Sequence, residues 1–205
     1  TEIYTLSLHD ALPISNLKGR VSEAAMARCI RVLTTLNRRA AEIMAGFEVH
    51  GATDVTGFGL AGHGLEMARG GKVRLEIDLA AVPLLEEALD AYRSGVSTGM
   101  NGPNREMARG FLRFSERIGP HEREIVFDPQ TSGGLLAAVP EDQAEELLAA
   151  LREGGVADAS IVGRVLPDDR GGGGIQIAGS RAGLSGPAPG TAARSSSCWS
   201  RFSLQ

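Results

Sequence analysis

Residues 51–64 read GATDVTGFGLAGHG, and the reading of this stretch decides the fold. Gly57, Gly59 and Gly62 spell G-x-G-x-x-G, the spacing of a dinucleotide-binding turn. Asp54 stands three residues ahead of the first of them. A carboxylate there competes with a pyrophosphate for the positive end of the helix that follows. One reading is a Rossmann unit, with Glu76 or Asp78 as the acid that binds the ribose. Against it, Thr53, Asp54, Val55 and Thr56 are too polar for the buried strand of a parallel sheet. A second reading lets Asp54 hold magnesium, which prefers one or two carboxylates together with phosphate oxygens and water. Gly57 and Gly59 would then bring phosphate close to backbone N–H groups, with hydroxyls from Thr53 and Thr56 beside them. A third makes Asp54 a cap or turn residue of the helix near Phe58. From chemistry alone the metal ligand and the turn residue stand level.

Working outward, Met26, Ile30, Leu33, Leu36, Ala40 and Ile43 recur at steps of three or four. That spacing predicts one amphipathic helix over 22–45, with Ser22 as its N-cap and Gly46 as its stop. Cys29 falls on the apolar side, where a thiol is inert packing. Residues 58–69 read as a helix closed by Gly70 and Gly71. KVRLEIDL, 72–79, alternates apolar and polar side chains as a strand does. Pro83 opens a further helix through Tyr92, 95–104 is a loop, and 105–118 is weakly patterned helix. EIVF, 124–127, and GLLAAV, 134–139, read as strands around the turn DPQTSG. Residues 141–155 form a helix whose Glu141, Asp142, Glu145 and Glu146 face solvent near its start. Residues 160–166 and 174–179 are final strands. Strands and helices mix without regular β-α-β alternation. The fold class is therefore α+β, an α/β sandwich in which a mixed sheet is packed with helices.

Composition narrows the function. The 205 residues carry 42% hydrophobic and 22% charged side chains, as soluble globular chains do. A net charge of −4 argues against nucleic-acid binding through a basic surface. No apolar run approaches the roughly 20 residues a membrane helix needs. Cys29 and Cys198 form neither a metal spacing nor a disulfide framework, so a reducing cytoplasm is the expected setting. The ends differ from the middle. TEIYTLSLHDALPIS, 1–15, looks like translated sequencing adapter or a disordered arm, outside the domain. Residues 180–205, rich in Ser, Ala, Gly and Pro, read as a disordered or frameshifted tail. The domain is expected over 16–179.

Four blocks now tip the balance at Asp54. Thr34 with TLNRRAAEIM after it, ATDVTGFGLAGHGLEMA (52–68), IDLAAVPLL (77–85) and FDPQTSGGLLAAVP (127–140) resemble, in order and spacing, the C-terminal half of selenophosphate synthetase. TDVTGFGL and DPQTSGGLL are specific to that family, which lies in the wider aminoimidazole-ribonucleotide-synthetase superfamily. The resemblance covers about 16–179. It implies the C-terminal domain of that superfamily's fold. The implied reaction turns selenide, ATP and water into selenophosphate, AMP and phosphate with Mg2+, in a homodimeric enzyme. It carries the magnesium-binding aspartate over to Asp54. The reactive cysteine or selenocysteine, its lysine and most ATP contacts belong to the family's N-terminal half, so no catalytic residue is expected here and Cys29 is not the nucleophile. The segment alone is expected to be inactive. The same resemblance admits a non-catalytic nucleotide-sensing or dimerisation module; a dinucleotide oxidoreductase is the more distant alternative.

DPQTSGG, 128–134, has two readings. Asp128-Pro129 starts a turn, and Gly133-Gly134 lets the chain enter a strand. Alternatively Thr131, Ser132 and Gly133 face the ligand cleft. His63, in the helix after the first turn, reads as a partly buried histidine bonded to backbone rather than as a phosphate contact.

Overall fold

The computed structural model describes residues 2–5, 11–168 and 171–179. The sequence yields strands β1 (Glu2–Thr5), β2 (Gly51–Asp54), β3 (Val73–Asp78), β4 (Leu112–Phe114), β5 (Leu135–Val139), β6 (Ser160–Pro167) and β7 (Gly174–Ala178). They join in one sheet of order β2-β5-β1-β6-β3-β7-β4. Pairing is antiparallel from β2 through β3, and parallel from β3 to β7 and from β7 to β4. The helices are α1 (Ala11–Asn16), α2 (Glu23–Thr34), α3 (Arg38–Met44), α4 (Gly59–Gly71), α5 (Glu86–Arg93), α6 (Asn101–Met107), α7 (Pro120–Ile125) and α8 (Ala144–Glu153). A mixed sheet packed with helices is the expected class.

The run GLLAAV shows how the layers form. Successive strand side chains point to opposite faces. Leu136 and Ala138 enter a core with Leu60, Leu65 and Ile175, under α4. Ala137 and Val139 enter a second core with Ala40, Met44, Leu147 and Leu151, under α3 and α8. A strand buried on both faces shows an apolar run rather than alternation.

Several expectations change. The helix over 22–45 breaks at Thr35, whose backbone is extended (φ −84°, ψ 121°). The Thr34 hydroxyl donates to Ile30 O and that of Thr35 to Arg31 O, so side chains satisfy the last carbonyls and the helix ends. Ser22 does cap it, accepting from Ala25 N at 3.1 Å. Within α2 Cys29 is fully buried while Ile30 is 50% exposed, and Leu36, past the break, is 78% exposed. EIVF is not a strand. Pro120 starts α7, Glu122 accepts the Gly119 N–H at 2.8 Å, and Ile125, Val126 and Phe127 are buried around its end. The region 105–118 is not one helix: α6 starts earlier, inside the expected loop, and β4 follows it.

The N-terminal segment is also corrected. Residues 2–5 do not lie outside the domain; they form β1, between β5 and β6. Ala11 and Leu12 of α1 are buried in the first core. Strand pairing uses backbone groups, which every residue carries, so composition gave no sign of it. Residues 180–205, with Cys198, lie outside the described residues. Among the described residues, no helix is long and apolar enough to cross a membrane.

Candidate functional site

The sheet brings the two motif turns to one place. β2 pairs with β5 so that Asp54 faces Leu135. Just beyond, Val55 N donates to Gly134 O (2.9 Å) and Gln130 N to Thr56 O (3.0 Å). The turns interlock through two glycines. A Cβ on Gly133 would lie 1.4 Å from the Val55 carbonyl oxygen. Gly59 has φ +67°, and a Cβ there would lie 2.7 Å from Asp128 O. Both positions admit only hydrogen. Two asparagine amides fasten the pair: Asn104 Nδ2 donates to Gly57 O (3.0 Å) and Phe127 O (2.9 Å), and Asn37 Nδ2 donates to Gly133 O (2.8 Å). Asn37 reaches its partner because the chain breaks between α2 and α3.

The site residues divide by what their polar groups already hold. Asp54 is exposed, and its carboxylate makes no hydrogen bond or ion pair with the described residues. Thr53 Oγ1 donates to Asp54 O (3.1 Å). Thr56 Oγ1 lies 3.1 Å from His63 Nε2, and His63 Nδ1 lies 3.0 Å from Glu66 Oε2. His63 is thus bonded to two side chains, not to backbone as expected. Ser132 and Gly133 border a cleft of about 230 Å³ with Arg28, Arg31 and Asn37, on the flank of the turn. Thr131 is exposed, and Gly57 is exposed with its carbonyl held by Asn104.

Three of the amides that open α4 are taken by the chain itself. Gly59 N donates to Thr56 O (2.9 Å), Ala61 N to Val126 O (2.9 Å) and Gly62 N to Phe58 O (3.2 Å). That leaves too few amides for the cradle a pyrophosphate needs. The sheet also separates the strands a Rossmann unit would set side by side: β5, β1 and β6 lie between β2 and β3. Glu76 bonds Arg164 at 2.9 Å, and Asp78 is buried, accepting from Ala80 N at 3.1 Å. The dinucleotide reading of G-x-G-x-x-G fails on these grounds.

Beyond starting the turn, Asp128 is a buried hub. Its side chain is fully buried and accepts from Tyr92 Oη (2.7 Å), Ala11 N (3.1 Å) and Gln130 Nε2 (3.2 Å). Asn101 Oδ1 stands 3.1 Å from the same tyrosine oxygen and accepts from the Thr98 hydroxyl at 2.6 Å. Burial, and then the Asp128 carboxylate, push the Tyr92 hydroxyl far above the usual tyrosine range, so it stays a donor. No periodicity announces such a hub, because its members come from α1, α5, α6 and the turn before β5.

Among the described residues, no group of three or more His, Cys, Asp or Glu side chains gathers to hold a metal ion. Asp54 could supply magnesium with a single hard oxygen ligand, and not with a complete site.

Residues 3–176 match the family described as AIR synthase related protein, C-terminal domain. The chain is 43% identical over 141 residues to the selenide, water dikinase of Pelobacter propionicus, covering 69% of this chain and 40% of that protein. To the selenide, water dikinase of Myxococcus xanthus it is 41% identical over 150 residues, covering 72% and 42%. The chain thus spans about two fifths of the length of these curated relatives. In fold it is similar to E. coli HypE, a hydrogenase maturation protein (TM-score 0.59, 17% identity, 87% of this chain and 45% of that one). It is also similar to thiamine-monophosphate kinase from Stenotrophomonas maltophilia (TM-score 0.54, 19% identity, 86% and 49%). A HypE structure in complex with ATP superposes with a TM-score of 0.54 at 18% identity, over 82% and 43%.

Proposed function

We infer that this chain, which belongs to the AIR synthase related protein, C-terminal domain family, is the C-terminal domain of a selenide, water dikinase. The complete enzyme makes selenophosphate from selenide, ATP and water, releases AMP and phosphate, and works as a cytoplasmic homodimer. The observation that carries the reading is the carboxylate of Asp54, bonded to none of the described residues and held at an exposed strand end by the interlock of TDVTGFG with DPQTSGG.

In this reading Asp54 is one ligand to Mg2+, which when bound neutralises phosphate charge as the phosphoryl group transfers. The work of this domain is positional. Gly59 and Gly133 lock the two turns together, so Asp54 keeps a fixed place at the end of β2. Thr53 and Thr56 flank it, and Thr131 and Ser132, in the neighbouring turn, would face the phosphates. The remaining ligands come from ATP, water and the part of the enzyme outside this chain, so the 205-residue chain makes no selenophosphate unaided.

The test is Asp54→Asn in a complete enzyme. The expected result is a rise in the Mg2+ concentration needed for ATP turnover, on the order of tenfold or more, with unchanged circular dichroism. ATP turnover that keeps its dependence on limiting Mg2+ would overturn the assignment of Asp54. Selenophosphate from the isolated chain would overturn the division of labour.

A further inference from the structure

Thr56, His63 and Glu66 form a line of three hydrogen-bonded polar side chains. Thr56 does not cap α4: Gly59 N bonds the Thr56 carbonyl rather than its hydroxyl, and the cap position, Phe58, makes no side-chain hydrogen bond. His63 and Glu66 lie three residues apart, on one face of α4. His63 is only 8% exposed. The Phe58 ring lies against it, with centroids 5.3 Å apart. Gly62 leaves room for this: a Cβ there would stand 2.4 Å from Phe58 Cβ.

The protons follow from the chemistry of the three groups. A carboxylate only accepts, so Glu66 requires the hydrogen on His63 Nδ1. In the neutral ring Nε2 is then bare and accepts. A threonine hydroxyl has one hydrogen and two lone pairs. With that tautomer, the Thr56 hydroxyl, 3.1 Å from Nε2, gives its hydrogen to His63. Its oxygen is left as an acceptor alone, two residues from Asp54.

We propose that His63, oriented by Glu66, is a positioning residue that turns the Thr56 hydroxyl inward, so that Thr56 presents oxygen lone pairs, not a hydrogen, to the cation side of the site beside Asp54. This rests on the reading of Asp54 as a metal ligand. It also revises the role of Thr56, from a donor to phosphate to an oxygen facing the cation or one of its waters. A hydroxyl whose hydrogen is committed suits hard cations, which accept only oxygen lone pairs.

Two measurements test it. In the chain itself, nitrogen-15 shifts of His63 should show Nδ1 protonated and Nε2 bare; an Nε2-protonated or doubly protonated ring overturns the proposal. In a complete enzyme, Thr56→Val and His63→Phe should each raise the half-saturating Mg2+ concentration about tenfold, while Thr56→Ser and His63→Gln keep it near wild type. The double variant should be no worse than either single one, because His63 acts through Thr56. Additive losses, or a Thr56→Val enzyme with unchanged Mg2+ dependence, overturn it. If His63→Phe does not fold, Thr56→Val and His63→Gln decide. Asp54→Asn measured alongside separates the two failures. If Asp54→Asn moves the Mg2+ requirement and Thr56→Val does not, the relay alone is wrong. If Asp54→Asn is silent, the metal reading falls and the proposal falls with it.

Discussion

Two aspartates stand in the two interlocked turns and live opposite lives. Asp128 is fully buried and bonded by a tyrosine hydroxyl, a backbone N–H and a glutamine amide. Asp54 is exposed, with no side-chain bond to the described residues. Both turns carry an aspartate followed by glycine at close range, so the local sequence treats the two alike. The difference teaches which carboxylate is spent on the fold and which is left for chemistry. A buried carboxylate with its donors in place is costly to disturb, because removing one partner strands the other. An exposed carboxylate without partners costs the fold little to change.

The sharpest way to break the comparison is to separate the turns. Gly133→Ala places a methyl inside the Val55 carbonyl and should cost more than about 3 kcal/mol in chemical denaturation, or leave the chain unfolded. Next, Asp128→Ala strands the Ala11 N–H and removes the nearer acceptor of the Tyr92 hydroxyl, leaving it Asn101 Oδ1 alone, and about 3 kcal/mol of destabilisation is expected by the same measurement.

The tyrosine sharpens the point through pH. Its hydroxyl holds its proton more tightly in the folded chain than in the unfolded one, where it titrates near about 10. Below that pH both states keep the proton and the full stability is present. Above it the unfolded state alone loses the proton, so stability should fall by up to about 1.4 kcal/mol per pH unit. Tyr92→Phe should remove that alkaline slope while lowering stability at neutral pH by about 2 kcal/mol, read from denaturation between pH 8 and pH 11. The smallest effect belongs to Asp54→Asn, which should leave stability within about 0.5 kcal/mol of wild type. A loss as large as that of Asp128→Ala would erase the distinction between the two.

Much of this arrangement was legible in the residues. Alternation in KVRLEIDL, the helical spacing of 144–151 and the glycines after Asp54 placed β3, α8 and the first turn close to where they lie. Other features escaped for stated reasons. The break at Thr35 depends on hydroxyls bonding back to the preceding turn, which an apolar stripe does not record. EIVF has strand-forming residues, yet Pro120 and the Glu122 bond to Gly119 begin a helix just before it, and tertiary burial outweighs propensity. His63 lies on the expected helix with Glu66 one turn on, but its bond to Thr56 depends on the turn folding back over α4.

Periodicity and turn chemistry are local, so the residues alone established the mixed α+β class, most of its elements and the candidacy of Asp54. What tertiary structure decided was long-range. It seated β1 between β5 and β6, set Gly133 against Val55, and carried Asn37 to the second turn. It also buried Asp128 while leaving Asp54 in solvent. The physical reason is that a carboxylate's role follows from its donors and its access to water, and both are supplied by parts of the chain far from it in sequence.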